Sequence, residues 1–192
     1  NETTDKVERV LSAVKRTGVD MNFWAYIRIE LLYKFPEQIE LLRDLGLKAC
    51  FFGLESLHDP SAKAIGKGLG RDKVLETLQR AKDSWGETSS LHGSFIIGLP
   101  HETRETADEW TEMLITGQTA LDTISCNRLF LVPQSIIESK NTSKVFFSEF
   151  ELNKSKYGYT ERLGGGWDNE HWEYQEATDY ANNVMKKFVD AR

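Results

Sequence analysis

The sequence predicts an α/β protein in which parallel strands alternate with helices, as in a (β/α) barrel. Three observations carry this. Apolar stretches of strand length recur at residues 22–30, 47–54, 91–98 and 122–132. The segments between them place apolar residues at i, i+3, i+4 and i+7, one face of a helix. The connections are long enough for crossover helices, which implies parallel pairing and right-handed crossovers. The stretch His92 to Thr103 shows one such joint most plainly: an apolar run stops at Gly98, turns through Pro100 and passes into a helical pattern at Thr103. Ligands of such folds lie at the C-terminal ends of the strands.

Taken in order, Asp5 to Arg16 sets Val7, Val10, Leu11 and Val14 on one helical face, with Thr4 as N-cap and Gly18 as the stop. Asn22 to Glu30 alternates. Phe23, Ala25, Ile27 and Ile29 share one side, and Trp24, Tyr26, Arg28 and Glu30 share the other. Packing the aliphatic side on helices would turn Tyr26, Arg28 and Glu30 inward. An arginine there needs a partner, because an unpaired buried charge is costly. Glu30, Glu55 and an anionic ligand are the candidates. Pro36 opens a helix through Ile39, Leu42 and Leu45 to Gly46. Leu47 to Leu54 is the next strand and delivers Glu55 and Ser56 to its tip.

Asp59-Pro60 supplies the N-cap and first residue of a short helical turn ending near Ile65. The loop Gly66-Lys67-Gly68-Leu69-Gly70 lacks the spacing of a phosphate-binding loop and does not leave a strand directly, so it reads as a hinge. Arg71 to Trp85 forms a long amphipathic helix. After the 91–98 strand, Thr103 caps a helix with Ala107, Trp110, Met113 and Leu114 on one face. In the strand at 122–132, Ser125, Asn127 and Leu129 lie on one side and Ile124, Cys126, Arg128 and Phe130 on the other. Residues 137–170 read mostly as loop with one short strand at Val145 to Phe150, and Trp172 to Phe188 closes the chain as a helix. The expected organisation is therefore a barrel portion over 1–136 and a loop-rich extension with a final helix over 137–192.

Composition narrows the classes. The chain has 192 residues, a formal net charge of −6, and no basic cluster, so nucleic acid or an anionic membrane is not indicated as a partner. No apolar run has the length of a membrane span and the N-terminus does not resemble a signal peptide, from which a cytoplasmic location is expected. Cys50 and Cys126 lie far apart in apolar runs and read as buried reduced thiols, not a local metal site. His58, His92, His101 and His171 show no ligand spacing and read as surface or turn residues.

Several motifs fall in the order seen in a known family: Glu2-Thr3-Thr4-Asp5, Arg28, Phe52-Gly53-Leu54-Glu55-Ser56, Lys67-Gly68, and Gly93-Ser94-Phe95-Ile96-Ile97-Gly98-Leu99-Pro100-His101-Glu102-Thr103. Together with the strand at 122–132 they resemble the radical S-adenosylmethionine (SAM) enzymes, in particular the branch often fused to a cobalamin-binding domain. The resemblance covers about residues 1–135. It implies a partial (β/α)6 TIM barrel of which this chain would carry strands three to six, the C-terminal part. In the family a [4Fe–4S] cluster, held by a Cys-x3-Cys-x2-Cys loop after strand one, reductively cleaves SAM to a 5′-deoxyadenosyl radical. That loop is not in this sequence, so the chain reads as the SAM-binding portion of an iron–sulfur oxidoreductase or transferase, inactive by itself, with no catalytic or metal-ligating residue of its own.

The resemblance carries over to a few positions. Glu55 matches a residue that contacts the amino acid or ribose of SAM. Ser94, Ile96 and Gly98 flank the adenine, with Gly98 permitting close backbone approach. Arg28 would meet the SAM carboxylate or Glu55, and Ser125 and Asn127 border the adenosine. Cobalamin is a further cofactor that the branch suggests, and the substrate is expected to be a small molecule. His101 and Pro133-Gln134-Ser135 depart from the branch's usual Gly after Gly-Leu-Pro and its Pro-Gly-Thr. Plainer readings stand beside these: Glu55 as the cap of the following turn, and Gly98-Leu99-Pro100 as a tight strand exit. Two other functions stay open. One is a non-catalytic barrel scaffold or partner-binding module that lost the cluster, and the other is an unrelated barrel enzyme binding phosphate at the Thr103 helix start. The strand edge at 22–30 predicts a homodimer that covers it.

Overall fold

Four parallel strands, in the order β1-β2-β3-β4, form the main sheet of the computed structural model. It describes residues 3–133, 135–137, 149–162 and 166–192. The strands are β1 (Phe23–Tyr26), β2 (Leu47–Glu55), β3 (Ser90–Ile97) and β4 (Thr123–Arg128), each reached through helix, as expected for the α/β class. The chain divides into two compact units interleaved along the sequence. One holds Asn1–Glu55, Leu69–Phe95 and Thr116–Ser125; the other holds Ser56–Gly68, Ile96–Ile115 and Cys126–Arg192.

In the first unit, α1 (Thr4–Thr17) and α3 (Gln38–Leu45) pack together, and α5 (Arg71–Trp85) lies against α3 and the short α2 (Ile29–Lys34). Their apolar stripes meet the buried side chains of the strands. Leu47, Cys50, Phe52 and Leu54 of β2 and Leu91 and Phe95 of β3 are all buried, as are Leu42, Leu78, Ala81 and Trp85 of the helices. The Trp85 indole N–H donates to the Ile39 carbonyl at 2.9 Å, which satisfies the one polar atom of this buried ring. Gly46 stops α3 at φ 101°, and an added Cβ would stand 1.8 Å from the Met21 carbonyl oxygen, so the chain turns into β2 only with glycine there.

The strand expected over 22–30 is shorter. It ends at Tyr26, and Ile29–Lys34 is helical. Ile29 and Leu32, spaced i, i+3, bury one side of that helix, so the apolar pattern that alternates up to Ile27 changes period after it. Arg28 is consequently the N-cap residue of α2 and not an inward strand residue. The fourth strand stops at Arg128 instead of residue 132. Smaller shifts occur at helix starts: Thr3 rather than Thr4 caps α1, α3 begins at Gln38 after Pro36, and His58 rather than Asp59 caps α4 (Asp59–Ala64).

The second unit contains α4, α6 (Arg104–Ile115), α7 (Glu149–Leu152), the antiparallel pair β5 (Thr160–Glu161) and β6 (Trp167–Asp168), and α8 (Tyr174–Asp190). Helices α6 and α8 pack on each other, and Ala107, Trp110, Leu114, Ala177, Ala181 and Val184 on them are buried. Thr103 caps α6 as expected. Its hydroxyl accepts the Thr106 N–H at 3.2 Å, while the Thr106 hydroxyl accepts the Thr103 N–H at 2.9 Å. Phe150 is helical, not a strand residue, and the rest of the short strand expected from Val145 lies outside the described residues.

Candidate functional site

Alternation along the strands turns one face of the first unit's sheet away from its helices. Tyr26, Phe51 and His92 occupy one register row across β1, β2 and β3. Their rings touch in series: Tyr26 to Phe51 at 5.3 Å and Phe51 to His92 at 5.0 Å between centroids, with Trp24 edge-on to both Tyr26 and Phe51. Trp24 is 65% exposed and Tyr26 73%. His92 does not fit the surface or turn reading. Its Nδ1 lies 2.9 Å from the Thr123 hydroxyl and its Nε2 3.2 Å from that of Ser125. Burial pushes its pKa down, which favours the neutral imidazole, and each of its two ring nitrogens faces a hydroxyl.

Farther along the same strands come Ser94, half-buried on β3, and Glu55, the last residue of β2. The β2–β3 register runs regularly to Gly53 opposite Ser94 and then shifts between Gly53 and Glu55. Glu55 itself has φ 67°, the left-handed region that a non-glycine residue enters only at a cost of order 1 kcal/mol or more. A register shift at a strand end re-aims the side chain that follows it. The turn after Glu55 is capped by Ser56, whose hydroxyl accepts the His58 N–H at 3.0 Å.

In the second unit the exit of β3 is bound on every side. Gly98 has φ 87°, and its N–H donates to Glu102 Oε2 at 2.6 Å. Its carbonyl accepts the Tyr159 hydroxyl at 2.5 Å. An added Cβ would lie 2.3 Å from the Trp167 indole, so the close approach that glycine permits here is made by Trp167. Glu102 is fully buried. Its Oε1 accepts the Trp110 indole N–H at 3.0 Å, and its main-chain carbonyl accepts that of Trp172 at 2.9 Å. Burial pushes the Glu102 carboxyl up to about 7 against the pull of these donors.

Of the residues singled out from sequence, Glu55, Ser94 and Ser125 fall in the first unit, and Ile96, Gly98 and Asn127 in the second. Ile96 is half-buried and Asn127 exposed. Arg28 exposes 70% of its side chain and lies 3.8 Å from Glu30. Sequence reasoning missed His92, Glu102, Tyr159 and Trp167. A carboxylate two residues after a Gly-Leu-Pro strand exit was a signal for Glu102; nothing local marks Tyr159 or Trp167, whose partners lie far away in the chain.

The family model of the radical SAM superfamily matches residues 3–114. The chain belongs to the radical SAM superfamily. It is 33% identical over 95 residues to an uncharacterized methyltransferase of Pyrococcus horikoshii, covering 48% of this chain and 19% of that protein. A Methanocaldococcus jannaschii protein described as a methylthiotransferase is 30% identical over 102 residues, covering 53% and 20%. The chain thus spans about a fifth of the length of these relatives. Among solved structures, coproporphyrinogen III oxidase of Escherichia coli, a radical SAM enzyme, superposes with a TM-score of 0.56 at 12% identity over 87% of this chain and 45% of its own. The radical SAM methyltransferase TsrM of Kitasatospora setae, solved with tryptophan substrate and a SAM analog, gives 0.53 at 13% identity over 95% and 33%. These likenesses show the partial-barrel fold.

The radical SAM family uses SAM and a [4Fe–4S] cluster, and the two groups fit this chain differently. Cys50 and Cys126 are buried, and burial pushes both thiols up to about 12, far from the thiolates that a cluster requires. Among the described residues no group of three His, Cys, Asp or Glu side chains is placed to hold a metal. The polar side chains at the end of β2 and along β3 and β4, by contrast, are of the kinds that pair with the amino, hydroxyl and ring groups of SAM: the Glu55 carboxylate in a strained turn and the Ser94 and Ser125 hydroxyls, the latter also beside His92. Among the described residues no helix is long and apolar enough to cross a membrane.

Proposed function

We propose that this chain supplies the SAM-binding strand ends of a radical SAM transferase acting on a small molecule. Glu55 receives the ribose or the amino group of the methionyl part, with Arg28 toward its carboxylate. Ser94, Ile96 and Gly98 line the adenine, and Ser125 and Asn127 border the adenosine. SAM supplies the adenosyl and methyl groups that the family's chemistry cleaves and transfers. The part of this chain is to bind and orient it, and the cluster ligands come from elsewhere. The names of the two relatives favour methyl or methylthio transfer, and cobalamin is a cofactor consistent with that branch.

One observation carries the reading. Glu55 is held at φ 67° directly after a register shift, at the C-terminal end of a parallel strand, where backbone strain of this kind gathers around ligands. Equilibrium dialysis of the chain against SAM tests it. Binding is expected, and Glu55→Gln is expected to weaken it about tenfold, the loss of one charge-assisted hydrogen bond. A chain that takes up no SAM at millimolar ligand overturns the proposal. Without cluster cysteines the chain alone is expected to produce no 5′-deoxyadenosine under reducing conditions.

A further inference from the structure

Beyond residue 114, where the family match ends, four buried side chains reach back to main-chain carbonyls at the exits of β3 and β4. Tyr159 donates to Gly98, Trp167 to Leu129 at 2.8 Å, Trp172 to Glu102, and Lys154 to Val132. The two exits are themselves tied by the Leu129 N–H donating to the Ile97 carbonyl at 2.8 Å. Carbonyls at such exits are ordinarily turned to water or to ligand. Here the C-terminal segment fixes where each of them points. Gly98 is the most constrained: its N–H, its carbonyl and its open side are each taken by a different side chain.

We propose that Tyr159 is a positioning residue for the adenosine part of SAM, acting through the Gly98 peptide, with Trp167 packed against the Gly98 Cα. This rests on the reading of Gly98 as part of the adenine wall. A glycine at φ 87° has no side chain to limit its rotation, so its peptide keeps one direction only if something outside holds it. Glu102 holds the N–H from within the exit turn, and Tyr159 holds the carbonyl from a segment that lies 61 residues further on. Removing the Tyr159 hydroxyl frees one end of that peptide while leaving the ring against Trp167, whose centroid lies 5.3 Å away.

The test compares Tyr159→Phe with Tyr180→Phe. Tyr180 of α8 also carries a hydroxyl bonded on both sides, to Thr111 at 2.9 Å and Asp108 at 2.7 Å, but these partners are on α6 and not at the strand exit. Affinities of the full chain for SAM and for 5′-methylthioadenosine are measured by titration calorimetry, well below the unfolding midpoint of each variant. Y159F is expected to lose about five- to tenfold in affinity for both ligands by the same factor, the worth of one hydrogen bond. Y180F is expected to bind both as the wild type does, even where its unfolding midpoint falls by as much. If Y159F fails to fold, Trp167→Phe is measured instead; it keeps a ring against Gly98, loses the N–H bond to Leu129, and is expected to change affinity in the same direction. Unchanged affinity in the variant that folds, or an equal loss in Y180F, overturns the proposal. A wild-type chain that binds neither ligand overturns the SAM reading itself, and this one with it.

Discussion

Two long runs of touching aromatic rings among the described residues are treated in opposite ways. On the sheet of the first unit, Trp24, Tyr26, Phe51 and His92 form a row whose outer two rings are mostly exposed. In the second unit, Tyr157, Phe150, Tyr159, Trp167 and Tyr174 follow one another edge to face, and the Arg128 guanidinium lies 4.3 Å from the last ring. The inner members of this second run are buried, and the Tyr159 and Trp167 polar atoms are spent on backbone carbonyls. A ring whose polar atom is tied to main chain fixes the conformation of that main chain. A ring that shows its face to solvent fixes nothing and is available to be covered. The second unit is thus built to hold strand exits still, and the first to present a surface.

Breaking the anchored run should cost most. Glu102→Ala leaves the Gly98 N–H and the Trp110 indole N–H without their acceptor in a fully buried place. At about 1–3 kcal/mol for each orphaned donor, urea unfolding is expected to show a loss of about 3 kcal/mol or more. A loss below about 1 kcal/mol would mean that the exit turn relaxes and that the anchoring is not rigid. The same carboxyl gives a pH test. Its pKa lies at about 7 in the folded chain against an ordinary 4.5, so the folded chain keeps a proton that the unfolded chain has already released. Its contribution to stability is therefore full below pH 4.5, falls as pH rises from 4.5 to 7, and is flat above. The difference between wild type and Glu102→Gln isolates it from the other carboxylates. That difference is expected to shift by on the order of 3 kcal/mol across the window, and a difference independent of pH would show Glu102 ionised throughout it.

Much of this was legible in the sequence, and the divide falls between local and distant information. The period-two and period-3.6 patterns located the four strands of the main sheet and the longer helices between them, though not the short α2, because each reports a face that the residue's own neighbours help to bury. The error at residues 27–30 arose where the two periods overlap: Ile27 and Ile29 alternate as in a strand, while Ile29 and Leu32 already share a helix face. Ser94 and Glu55 were legible from motif order. Tyr159, Trp167 and Trp172 were not, since a buried donor and a carbonyl up to 70 residues apart leave no periodic trace. His92 was hidden for a related reason. Its partners Thr123 and Ser125 sit on the neighbouring strand, more than 30 residues away.

The exposed run should respond least in stability and most in association. Trp24 and Tyr26 stand on β1, the strand at the end of the sheet order among the described residues. An edge that carries large aromatic side chains is a ready surface for a second copy. Replacing both with serine removes little buried area, so the unfolding free energy is expected to move by no more than about 0.5–1 kcal/mol. The association of the chain is expected to fall instead: wild type should scatter light as a dimer or larger at micromolar concentration, and W24S/Y26S as a monomer. A wild-type monomer would mean that the edge is protected by its own twist and shortness. A double variant as destabilised as Glu102→Ala would mean that the exposed row is packed as firmly as the buried one, and the contrast between the two runs would not hold.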